Sequence, residues 1–105
     1  MTVKMERSSG DVFRDLGFEP AVAESLRIRA ALMVELRQLM VSRKLTQQAA
    51  AKLWGVTQPR VSDLVRGKID LFSIDTLVDM LSQVGVGVEL RVHAPRTRSP
   101  RRKAA

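Results

Sequence analysis

The stretch Leu45-Thr46-Gln47-Gln48-Ala49-Ala50-Ala51-Lys52-Leu53-Trp54-Gly55-Val56-Thr57-Gln58-Pro59-Arg60-Val61-Ser62-Asp63-Leu64-Val65-Arg66-Gly67-Lys68 decides the fold. It holds two short helical runs separated by one glycine. Thr46 is a favoured N-cap residue, and Gln47 to Trp54 follow it without Gly or Pro. Ala50 and Leu53 fall on one face at i, i+3 spacing, and Val56 comes just past the helix end. Gly55 has the backbone freedom to end the first run and turn sharply. Thr57 then caps a second run with Pro59 in its first turn, where a missing N–H is harmless. Val61, Leu64 and Val65 face inward at helical spacing, which leaves Gln58, Arg60, Ser62, Asp63 and Arg66 facing out. Small Ala50 suits a close approach of the two helices.

Two capped helices around a tight turn, the second with a polar and basic outer face, form the layout of a helix-turn-helix. In that motif the second helix is inserted into the DNA major groove. An ordinary helix pair with a solvated polar face has the same local pattern, and charge separates the two readings. Between residues 43 and 68, Arg43, Lys44, Lys52, Arg60, Arg66 and Lys68 stand against Asp63 alone. Residues 1–42 balance six basic with six acidic side chains, and residues 69–93 set Arg91 against Asp70, Asp75, Asp79 and Glu89. A positive stripe confined to the proposed reading head is what attraction to phosphate requires.

A chain of 105 residues makes one domain with a flexible end. A body this small buries a limited core, which favours a dimer that removes more apolar surface from water. There is no cysteine, hence no disulfide framework, thiol nucleophile or Cys-based zinc site, and the lone His93 argues against any metal site. No cofactor is expected. Catalysis would need a converging acid–base or nucleophile constellation; the carboxylates are spread along helix surfaces, so the chain is not read as an enzyme. No apolar run approaches about 18 residues and no signal peptide opens the chain, so a soluble, cytoplasmic protein without membrane contact is expected.

The expected organisation is an N-terminal arm, partly ordered, over 1–20, a helical DNA-binding domain over 21–93 and a basic disordered tail over 94–105. Residues 1–10 look loose. Phe13, Leu16 and Phe18 either pack as an irregular start to the body, the favoured reading, or stay exposed as a docking surface. From Ala21 to about Arg43 a long helix is predicted, with Leu26, Ala30, Met33, Leu36, Leu39 and Met40 at spacings of three and four. Its first half, Glu24 to Met33, is expected to reach beyond the reading head. That extra length suggests a partner or dimer mate, unless it is simply a core helix with a frayed start. Ser73 caps a further helix from Ile74 to about Val84, with Leu77, Leu81 and Val84 inside, Ile74 and Met80 flanking, and Gly85 ending it.

Val86 to Val92 then changes period from 3.6 to two, with Val86, Val88, Leu90 and Val92 on one side. A lone strand leaves its backbone groups unpaired. Its partner is either a short extended piece near the N-terminus or the same strand of a second subunit. The second answer is favoured, because symmetric dimers are the commonest oligomers and the motif commonly reads paired half-sites. The tail, with Arg96, Arg98, Arg101, Arg102 and Lys103, is either a solvated end or a non-specific DNA contact.

The motif from Leu45 to Lys68 resembles the XRE (Cro-type) helix-turn-helix family. The continuation Ile69-Asp70-Leu71-Phe72-Ser73-Ile74-Asp75-Thr76-Leu77, with Asp11-Val12-Phe13-Arg14-Asp15-Leu16-Gly17-Phe18 upstream, is similar to the compact branch that includes HigA-like antitoxins. The resemblance covers roughly residues 11–92. It implies a mainly α, lambda-repressor-like helical bundle with one short C-terminal strand. It also implies a homodimer on an inverted repeat of double-stranded DNA. By the same resemblance Gln47 buttresses the reading head against phosphate, Thr57 and Gln58 open the reading helix, and Gln58 leads base recognition through its amide. Arg60 and Ser62 lie on or beside the groove-facing surface, and Arg66 and Lys68 grip backbone phosphate. Asp63 departs from the family pattern by being acidic: it accepts from cytosine N4 or orients Arg60 three residues earlier, the second being preferred. The implied function is an antitoxin that covers a RelE/HigB-like toxin, through residues 11–40, and represses their shared promoter. The alternative is a stand-alone repressor without a toxin.

Overall fold

Residues 2–7 and 16–92 are described by the structure, a computed structural model. They run β1 (Thr2–Arg7), α1 (Pro20–Ser42), α2 (Gln47–Trp54), α3 (Gln58–Val65), a 3-10 turn (Ile69–Leu71), α4 (Ile74–Ser82) and β2 (Gly87–Val92). Phe13, His93 and the basic tail lie outside the described residues.

Helix α1 starts on Pro20, whose fixed φ suits the first turn, and runs for 23 residues. It ends where Lys44 adopts a left-handed φ of 54° and the Leu45 N–H donates to the Met40 carbonyl at 2.9 Å. The predicted stripe is right in direction and too narrow. Ile28 and Leu32 are buried as well, while Ala30 and Met40 are only half-buried. The reason is that α1 is the central helix, with α4, β1 and the 3-10 turn packed around it. Its first half therefore packs into the body, as the core-helix alternative has it. Ile28 and Leu32 share a core with Val3, and Arg29 Nη1 donates to the carbonyls of Ile69 (3.4 Å) and Phe72 (3.3 Å).

The strand pairing follows the less favoured of the two expectations, an extended piece near the N-terminus. Thr2–Arg7, read as loose, is a strand, and it supplies the partner of β2 from within the same chain. The two run parallel, from Thr2 opposite Gly87 to Arg7 opposite Val92. A parallel pair needs a long crossover, and here all four helices fill it. Val3, opposite Val88, is the anchor: it is buried in the main core, against which Val88 also packs. Lys4 and Glu89 pair at 3.8 Å on the outer side, a well-exposed contact of small energetic weight.

Helix α4 begins at Ser73, whose Oγ accepts from the Thr76 N–H at 3.1 Å, with Asp75 in the first turn where the helix dipole favours it. Leu77, Met80 and Leu81 are buried; Met80 is a core residue rather than a flanking one. Val84 is only half-buried, because the helix stops at Ser82 and the chain turns through Gly85 at φ 77°. In α2 the buried face is Ala50, Ala51 and Trp54, so Leu53 points outward, 43% exposed. The larger indole takes the inward position one residue on. Leu16 and Phe18 are 69% and 46% exposed, so the packing reading does not hold for Leu16. No helix among the described residues is long and apolar enough to cross a membrane.

Candidate nucleic-acid interface

The reading head is built by two caps and a left-handed glycine. Thr46 Oγ1 accepts from the Ala49 N–H at 3.0 Å and starts α2. Gly55, at φ 70°, stops it, and its N–H bonds to the Ala51 carbonyl. The Val56 N–H bonds to the same oxygen at 3.0 Å. Thr57 Oγ1 then accepts from the Arg60 N–H at 3.4 Å and starts α3 with Pro59 in the first turn. Thr57 is thus placed as a capping residue. Its exposed position leaves it beside, rather than on, the outer stripe of α3.

Val61 and Leu64 are fully buried and fix the rotation of α3 about its axis. The opposite face follows from 3.6 residues per turn: Pro59, Ser62, Asp63 and Arg66, with Gln58 at its edge. Gln58, Pro59 and Arg66 are exposed and Ser62 and Asp63 half-exposed, so the stripe is open along its length. Eight residues give a rod about 12 Å long, close to the width of the B-DNA major groove, about 12 Å. Gln47 is half-buried in the first turn of α2, and exposed Arg43, Lys44 and Lys52 add positive charge on the flanks.

Two of the residues read from sequence are engaged elsewhere than expected. Arg60 turns away from the outer stripe toward the 3-10 turn. Its Nη1 donates to the Leu71 carbonyl at 2.8 Å, and the guanidinium lies 5.3 Å from the centre of the Phe72 ring. Asp63 does not orient Arg60; its Oδ1 sits 3.8 Å from Lys68 Nζ. The backbone sets up that pair, since the Lys68 N–H bonds to the Asp63 carbonyl at 3.0 Å after Gly67 turns at φ 74°. Lys68 is therefore held at the C-terminal end of α3 beside Arg66.

Helical spacing also places exposed Pro59 on the outer face, beside the polar residues expected there. Nothing local to Arg60 marks Phe72, twelve residues on, as its partner. Phe72 is 1% exposed and sits among the largest core side chains, so the loop that carries it is tethered at both its aromatic ring and its carbonyl groups.

This geometry can be compared with known proteins. A sequence-family model described as a helix-turn-helix domain matches residues 12–93. A solved structure that carries the provisional name of an XRE family transcriptional regulator is 30% identical, with a TM-score of 0.59 over 80% of this chain and 90% of that chain. No curated protein matches the sequence. A match across most of the chain, with the two helices and the turn in place, establishes that the chain belongs to the XRE family of helix-turn-helix proteins.

Proposed function

We propose that the chain is a sequence-specific repressor that binds double-stranded DNA as a homodimer at an inverted repeat, with α3 in the major groove. The observation that carries this reading is the outer stripe of α3. Gln58, Ser62 and Asp63 offer the amide, hydroxyl and carboxylate that discriminate base edges. Arg66 and Lys68 stand at the end of the same helix, where they meet phosphate. Phosphate contacts position the helix and base contacts give it specificity. DNA as the ligand places its action in the cytoplasm, on the nucleoid.

The test is selection of bound duplexes from a random library, followed by titration of the winning sequence at several salt concentrations. An inverted repeat, with affinity falling steeply as salt rises, supports the reading. Uniform, salt-insensitive binding sinks it.

A finer reading makes the chain an antitoxin. On this view a RelE/HigB-like toxin docks on residues 11–40, and repressor and toxin share a promoter. Leu16, Phe18 and Val22 support it, because all three are substantially exposed apolar side chains close together in sequence. A stand-alone repressor uses the same reading head without that surface. Co-expression with the adjacent upstream reading frame separates the two: a stoichiometric complex that restores growth favours the antitoxin, and a harmless, non-binding neighbour favours the stand-alone repressor.

A further inference from the structure

We propose that β2 is a two-fold symmetric assembly strand: its free edge pairs antiparallel with β2 of a second copy, centred on Leu90. This rests on the reading of the chain as a two-fold repressor and names the surface that joins its halves.

The first observation is the open edge. β1 and β2 form a two-stranded sheet, so among the described residues β2 has a neighbour on one side only. An unpaired edge is a template for another strand. The second is the exposure at its end. Val88 packs against the core, while Leu90 and Val92, on the same face, are 51% and 67% exposed. The apolar face thus runs out past the body of a single subunit.

The third observation is the sequence of the strand itself. Val88-Glu89-Leu90-Arg91-Val92 is chemically palindromic about Leu90. In an antiparallel pair centred there, Leu90 meets Leu90 of the second copy. Val88 meets Val92 on the same face, and Glu89 meets Arg91 on the other. Every apolar residue finds an apolar partner and every charge its opposite, and each type of pair is favourable across strands. A register shifted by one residue in either copy sets Glu89 or Arg91 against valine or leucine, and a shift by two sets Glu89 opposite Glu89 or Arg91 opposite Arg91. Glu89 already meets Lys4 on its β1 side at 3.8 Å, so the second copy places a cation on each side of the carboxylate. The result is a continuous four-stranded sheet with Leu90 and Val92 of both copies covering one another at its centre.

The chain has no cysteine, which makes the register directly readable by disulfide trapping. Side chains directly opposite in an antiparallel pair have Cβ atoms about 4.5–5.5 Å apart and diagonal ones about 7–8 Å, and a disulfide needs about 3.5–4.5 Å. Under mild oxidation without DNA, Leu90→Cys is expected to give a covalent dimer quickly. Glu89→Cys alone and Arg91→Cys alone are expected to give little. A mixture of those two variants is expected to cross-link as a heterodimer. Both of these positions are exposed, so the mixing test stands even if Leu90→Cys folds poorly.

Arg91→Glu is expected to raise the dimer dissociation constant about tenfold or more by sedimentation, since it turns two attractive pairs into repulsive ones. Wild-type protein that stays monomeric through the micromolar range overturns the proposal. So does a Leu90→Cys rate no greater than that of Glu89→Cys alone, or a dimer indifferent to Arg91→Glu. Because assembly is read without DNA, a chain that dimerises this way but binds no duplex refutes the repressor reading and leaves the strand pairing intact.

Discussion

Arg60 donates through Nη1 to the carbonyl oxygen of Leu71 at 2.8 Å, which ties the first turn of the reading helix to the loop that follows it. The same guanidinium lies 5.3 Å from the Phe72 ring centre, and Phe72 is fixed in the core. Arg60 therefore anchors the pose of α3 before any DNA arrives. A charge-assisted hydrogen bond and a partly exposed cation–π contact together are worth about 1–2 kcal/mol here.

Arg60→Ala is expected to lower the melting temperature, by about 4–8 °C for each kcal/mol lost in a domain of this size. Arg60→Lys restores the charge without the planar fork and is expected to recover less than half of that loss. Thermal unfolding followed by circular dichroism decides it. An unchanged melting temperature with impaired DNA binding would instead make Arg60 a direct DNA contact.

Asp63 and Lys68 give a second prediction with an unusual sign. In the free chain the carboxylate lies 3.8 Å from Lys68 Nζ and puts negative charge on the face proposed to meet DNA. Asp63→Ala frees Lys68 and removes that charge. Binding to unrelated duplexes is expected to strengthen by about threefold or more at low ionic strength, with the salt dependence steeper by about one. Discrimination among sequences is expected to fall. Anisotropy titrations on specific and scrambled duplexes test both halves, and weaker binding on the specific duplex alone would mean that Asp63 contacts a base directly.

The motif was legible in the sequence because its determinants are local. The caps at Thr46, Thr57 and Ser73 each act within three residues, and Gly55 marks a left-handed turn by its identity alone. What the sequence could not show is set by distance along the chain. Val3 and Val88 are neighbours in space across 85 positions, so Thr2–Arg7, with only Val3 and Met5 alternating, carries too little local signal to be read as a strand. Arg60 reads as an outward cation because its partner is the carbonyl of Leu71, and a backbone carbonyl has no signature in sequence. Leu53 and Trp54 are consecutive, about 100° apart around the helix, so only one of them can face the core, and the indole takes that place.

Trp54 supplies both a probe and a stability test. It is the chain's single tryptophan and is 2% exposed, in contact with the main core. Its intrinsic fluorescence therefore reports folding of the reading head without labelling. Trp54→Ala is expected to remove about 3–5 kcal/mol, a large share of the roughly 5–15 kcal/mol that holds a domain together, leaving α2 and α3 unfolded at physiological temperature. Gly55→Ala isolates a backbone effect next door. A Cβ there meets Gln83 side-chain atoms at an ordinary 3.9 Å, so the loss of about 1–2 kcal/mol comes from the left-handed φ alone. Urea titration of Gly55→Ala and Gly67→Ala, whose φ is 74°, is expected to give similar losses. A much larger loss at Gly55 would point to close packing between α2 and α4 rather than to φ.

Under the proposed docking, Gln58 and Lys68 separate base reading from phosphate gripping. Gln58 stands exposed at the start of α3 and Lys68 lies past its end; in the proposed docking the Gln58 amide is the group that would pair with adenine N6 and N7. Gln58→Ala is expected to cost about 1–3 kcal/mol on the selected duplex and almost nothing on a scrambled one, with preference relaxed at one base pair in each half-site. Lys68→Ala is expected to weaken both duplexes alike and to flatten the salt slope by about one. The two variants diverge only if α3 enters the groove with its outer stripe toward the bases. Equal losses on both duplexes from Gln58→Ala would mean that the N-terminal end of α3 touches backbone, and the docking of the helix would have to be turned about its axis.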